Sequence, residues 1–126
     1  MKALQIIETA YRGTLEEQDD TIIWLTHSMR DAGANLSVLL TGNAVNYAVS
    51  GQNASGLRFG NWVQTNPPRI ERELEKLIAK GVPVYVVSDD LKRRGLAQAE
   101  TIKGVSFIAR NALANLLDEH ERVWHW

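Results

Sequence analysis

The stretch VYVVSDDLKRRGL, Val84–Leu96, decides the fold. A run of apolar and β-branched side chains meets Ser88, two aspartates and three cations with no spacer between them. A short, wholly apolar run of this kind reads as a strand buried on both faces of a parallel sheet. Either Ser88 or Asp89 is expected to N-cap the short helix DLKRRG, with Asp90 in its first turn. The lysine and arginines near the end of that helix suit its dipole. Ligands of open α/β sheets bind outside the carboxyl ends of the strands. The junction at Ser88 is therefore the place to look for function.

Working outward, Ala3–Ile7 and Leu36–Leu40 have the same short apolar character and read as the first and second strands. Between them Thr14 is the expected N-cap of a helix whose early turns hold Glu16, Glu17, Asp19 and Asp20. Leu15, Ile22, Leu25 and Met29 lie at helical spacing there, and Gly33 ends it. Gly42 and Asn43 turn the chain from the second strand into a short apolar helix. Residues 50–68 are rich in Gly and Asn and show no period, the mark of a functional or interface loop. Asn66-Pro67-Pro68 starts a helix with Ile70, Leu74, Leu77 and Ile78 on one face.

Beyond the opening stretch, VSFI is a fourth short strand. Ala112, Leu113, Leu116 and Leu117 mark the last helix, and RVWHW is a fifth strand. Alternating strands and helices predict an α/β domain, a flavodoxin-like three-layer sandwich around a five-stranded, mostly parallel sheet. The common doubly wound order, 2-1-3-4-5, is the expected one.

The chain has 126 residues, enough for one domain, residues 1–126, with a real core of its own. Its formal net charge of -1 argues against a nucleic acid or an anionic membrane as partner. No apolar stretch approaches the roughly 20 residues a membrane helix needs, and the N-terminus lacks a secretory signal, so a cytoplasmic protein is expected. The absence of cysteine excludes disulfides, thiolate metal sites and a cysteine nucleophile.

Four segments reach the carboxyl edge of the sheet. They bring Tyr11, Arg12, Asn43, Ser88, Asp89, Asp90 and Arg110 as candidates. Tyr11-Arg12-Gly13-Thr14 lacks the spacing of a phosphate loop, and the acidic helix start after it would repel phosphate. His27, His120 and His125 have no metal-ligand spacing, so neither metal nor cofactor is expected. Trp124 and Trp126 share one face of the last strand, to be covered by the sheet's own flank or by a partner. Aromatics in the long loop, Phe59 and Trp62, suit a subunit interface.

Three segments together resemble the DsrE/DsrF-like family of small sulfur-relay proteins: VPVYVVSDDLKRRGL, LTGNAVNYAV and RNALANLLDEHERVWHW. The resemblance spans essentially the whole chain. It implies a flavodoxin-like domain that assembles with itself as a homotrimer or homohexamer, or with related subunits. Members that carry sulfur do so as a persulfide on a cysteine at the end of the third strand. Counting back from Arg93-Arg94-Gly95, that position is Val87 here, followed by Ser88. Neither side chain can hold a persulfide. The expectation is a non-catalytic relative with a pocket bordered by Val87, Ser88, Asp89, Tyr11, Arg12 and Asn43. The alternative is an enzyme of other chemistry that uses Asp89, Asp90 or Arg12 in the same place.

Overall fold

A computed structural model describes residues 1–12, 20–52 and 55–126. Its main sheet holds five parallel strands: β1 (Lys2–Ile7), β2 (Asn35–Leu40), β5 (Val84–Val87), β6 (Ser106–Ile108) and β7 (Arg122–His125). Helices α1 (Thr21–Asp31), α2 (Ile70–Ala79), α3 (Ser88–Arg93) and α4 (Leu113–Asp118) flank it. A 3-10 helix spans Gly42–Ala48 after β2. The expected flavodoxin-like α/β sandwich with a parallel five-stranded sheet is present.

The strands lie side by side as β6-β5-β2-β1-β7. Numbered among themselves they run 4-3-2-1-5, so the neighbour relations differ from the expected 2-1-3-4-5. Alternation of elements predicts the number and sense of the strands, but not the direction in which each crossover steps. Here three successive crossovers step the same way, from β1 to β2 to β5 to β6, and the last returns across the sheet to β7. Right-handed crossovers that step in opposite directions must cover opposite faces.

The two cores follow that rule. Ile22 and Ile23 of α1, Leu74 and Leu77 of α2, Leu91 of α3 and Tyr47 pack with Ile7, Val38, Leu40, Val84 and Val86. On the other face α4 is the one helix among the described residues that covers the strands, and Leu116 meets Leu4, Leu39 and Val87. Period two along each strand explains the split, since Ile7, Leu40 and Val86 stand in one row while Leu39 points the other way. No helix among the described residues is long and apolar enough to cross a membrane.

Three local expectations are corrected. Thr14, the expected helix cap, lies outside the described residues. Asp20 caps α1 instead, with extended backbone and Oδ1 accepting from the Ile22 and Ile23 amides at 2.8 and 3.1 Å. Neither Ser88 nor Asp89 caps α3. Its N-cap is Val87, Ser88 is the first helical residue, and both polar side chains are used elsewhere. Within the loop expected to be irregular, β3 (Arg58–Phe59) and β4 (Trp62–Val63) form a small antiparallel hairpin. The tail, as expected, is the fifth strand. Trp126 turns onto the sheet's own flank, where its indole Nε1–H donates to buried Gln5 at 2.7 Å.

Asp20 holds two elements at once, because its second oxygen accepts from the Tyr47 hydroxyl at 2.7 Å. Asp20→Ala should therefore cost more than an ordinary cap, about 2–3 kcal/mol. Urea unfolding measures this; a loss well under 1 kcal/mol would contradict it.

Candidate functional site

The loops after β5 and β6 leave the sheet toward opposite faces, into α3 and into α4. That divergence makes the topological switch point at which α/β sheets usually open a crevice. In this chain the crevice is filled by a carboxylate. Asp90, in the first turn of α3, is buried and points back over the strand ends. One oxygen accepts from Thr41 Oγ1 at 2.9 Å and from the Gly42 amide at 2.8 Å; the other accepts from the Arg110 guanidinium. Asp89 beside it accepts from the Arg110 amide at 2.7 Å.

These bonds set the electrostatics of Asp90. Burial acts most strongly and pushes its pKa upward, but the Gly42 amide, the Thr41 hydroxyl and Arg110 together outweigh it. The carboxyl is held below its ordinary 3.8. Its donors come from the ends of β2 and β6, so Asp90 joins three strand ends. With its acceptor sites occupied, it is poorly placed to take a proton from a substrate. Gly42 is required here: its φ is +56°, and an added Cβ would come within 2.9 Å of Glu8 Cγ. Glu8 in turn meets His125 Nε2 at 2.6 Å across the ends of β1 and β7.

The other candidates fall into separate places. Val87 is fully buried under α4 among Leu4, Leu39 and Leu116. Ser88 is half-buried and donates to the Ile108 carbonyl at 3.3 Å. Asn43 accepts from Arg94 at 2.8 Å, which ties the 3-10 helix to the end of α3. Tyr11 and Arg12 lie apart from these, around Tyr47. The structure thus brings Asp89, Asp90 and Arg110 together and Tyr11 with Arg12, but it does not gather all the candidates round one pocket.

Sequence reading missed a real cavity beside Tyr11. It measures about 300 Å³ and is lined by Tyr11, Tyr47, Gln52, Pro68, Ile70 and Glu71, with Arg69 contributing as well. Tyr47 forms its anchor. The buried hydroxyl donates to Asp20 and accepts from the amides of Tyr11 and Arg12. Tyr11 has φ +59°, a left-handed conformation that costs a non-glycine residue about 1 kcal/mol. That conformation can turn two successive amides toward one oxygen, and the resulting hydrogen bonds offset the strain. Burial first, then the hydrogen bond to Asp20, raises the Tyr47 pKa far above its usual value; burial alone raises that of Tyr11. Both rings stay neutral phenols. The rings meet edge to face, 5.3 Å between centroids and 81° between planes. The residues of this cavity come from four separate segments, and no local motif marks them.

Among the described residues no three His, Asp or Glu side chains converge as a metal-ligand set. The hydrogen bonds of Asp90 also make a pH prediction. Its folded pKa is depressed, so its contribution is complete above the unfolded value and lost as pH falls through the folded one. Asp90→Asn should cost about 2 kcal/mol at pH 7. The gap to the unaltered protein, measured by urea unfolding, should narrow below about pH 4. A gap that widens in acid would show that Asp90 is not held as an anion.

The fold has counterparts. The sequence model of the DsrE/DsrF-like family matches residues 7–125. The crystal structure of the YchN protein from E. coli is similar over the full length of both chains, with a TM-score of 0.74 and 21% identity. MTH1491 from Methanobacterium thermoautotrophicum, a protein of unknown function, is similar with a TM-score of 0.62 and 11% identity. That likeness covers 99% of this chain and 98% of the other. No curated protein matches the chain. With nearly every residue inside the family match, this cysteine-free chain belongs to the DsrE/DsrF-like family.

Proposed function

We propose that the chain is a non-catalytic DsrE-like protein that works as an oligomeric subunit and binding module and carries no sulfur. One observation carries the reading. At the strand end where a sulfur-carrying relative would hold its cysteine stands Val87, fully buried, in a chain without cysteine. A persulfide needs a thiol sulfur to bond to, and no side chain here supplies one. The alternative enzyme built on Asp89, Asp90 or Arg12 has little support. Asp89 and Asp90 are bound to Arg110 and to strand-end donors, and Arg12 lies away from them, with its backbone amide on the Tyr47 hydroxyl.

Assembly is supported by the β3–β4 hairpin. A two-stranded hairpin alone is marginal in water. This one exposes Phe59 at 61% and Trp62 at 39%, their rings 5.8 Å apart, with Leu57 and Val63 also exposed. Copies of the same chain, as a homotrimer or homohexamer, or related DsrE-like subunits, are the proposed partners, in the cytoplasm.

Light scattering at micromolar concentration should give three or six times the 14.1 kDa of one chain. Replacing Phe59 and Trp62 together by serine should reduce the mass while leaving the far-ultraviolet circular dichroism unchanged. A 14.1 kDa monomer from the unaltered protein would defeat the oligomer reading. Incubation with a persulfide donor bearing labelled sulfur should leave the chain unlabelled, and covalent label on it would defeat the sulfur-free reading.

A further inference from the structure

We infer that the tyrosine cavity takes a small flat aromatic ring bearing one protonated amine, a ligand of the aromatic amine class. The inference rests on the binding-module part of the function proposed above and names the ligand chemistry. A volume of about 300 Å³ is at the lower end for small-molecule pockets, which sets the scale at a single ring with a short substituent.

The chemistry follows from which polar atoms are already used. The Tyr47 hydroxyl makes one donated and two accepted hydrogen bonds. The Tyr11 hydroxyl donates to Gln52 Oε1 at 2.9 Å, and the amide nitrogen of Gln52 donates to the carbonyls of Asn46 and Val49. Arg69 has a partner of its own. Pro68 and Ile70 add only apolar surface. Groups engaged in this way cannot replace the water lost by a polar ligand, so most of the ligand must be apolar.

Glu71 is the exception. Its Oε2 accepts from the Gly51 amide at 2.8 Å, while Oε1 has no hydrogen bond among the described residues. A single carboxylate oxygen beside two neutral phenol rings favours a cation, through a charge-assisted hydrogen bond and attraction to ring faces. The same carboxylate disfavours an anionic ring. Gln52 pins the Tyr11 ring in place although that residue is 59% exposed, so the wall exists before any ligand arrives. Little ordering remains to oppose binding.

The test titrates benzylamine, benzyl alcohol and benzoate into the full chain at neutral pH, by calorimetry and by saturation-transfer NMR. Benzylamine should bind saturably, benzyl alcohol about tenfold more weakly, and benzoate not at all. Glu71→Gln should lower benzylamine to the level of benzyl alcohol and leave the alcohol unchanged. Tyr11→Gly should abolish binding of both while the fold persists, because glycine adopts φ +59° without strain. Benzoate binding as tightly as benzylamine, or a Glu71→Gln variant with unchanged benzylamine affinity, would overturn the ligand class. Failure of all three probes would strike the binding-module reading itself. Subunit number, measured separately, is affected by neither result.

Discussion

A single carboxylate at the carboxyl edge of the sheet holds the ends of β2, β5 and β6 in register. Asp90 does so by collecting a hydroxyl and an amide from Thr41 and Gly42 after β2 and a guanidinium from Arg110 after β6. Each bond alone is worth about 1–3 kcal/mol when one partner is charged. Together they compensate for burying the carboxylate, which would otherwise be among the costlier groups in the domain. The crevice that the fold opens at its switch point is thereby closed by structure. The bonds of this carboxylate hold the strand ends together.

The asymmetry of the two faces follows from the crossovers. Three crossovers of one hand and direction stack α1, α2 and α3 with the 3-10 helix on one side. The single return places α4 on the other, where Val123 and Leu117 remain exposed. The thick face therefore holds most of the buried apolar area, the dominant favourable term in folding. The cavity lies on that thick side, walled by Tyr47 and by the start of α2.

Much of this architecture could be read before any coordinates, and the remainder fails for identifiable reasons. Ala3–Ile7, Leu36–Leu40 and the run ending at Val87 announce themselves because a doubly buried strand is nearly all apolar, with Gln5 and Ser37 the polar exceptions in the first two. The hairpin does not, since each strand is two residues long and faces solvent. Asp20 was one of several acids near the helix start, and only the bond to Tyr47, 27 residues away, singles it out. Asp90 does lie in the first turn of α3, as local helix chemistry predicts, but its hold on the strand ends has no local signal because its partners Thr41 and Arg110 lie 49 and 20 residues distant. Strand order escaped for the same reason, as the step direction of a crossover has no local signature. Tyr11 keeps Arg12 as its neighbour, but its ring packs on Tyr47, a contact 36 residues away with no local signal.

The burial of Val87 reaches beyond the missing sulfur atom. Its side chain lies on the α4 face, packed against Leu4, Leu39 and Leu116 with no exposed surface. A thiol installed there would sit in a dry apolar nest, where desolvation favours the neutral form over the nucleophilic thiolate. Reactivity at this strand end is therefore a property of the neighbourhood as much as of one residue. A thiol placed at Val87 would become reactive only if the α4 side were opened as well, so exchanging that one side chain would not be enough.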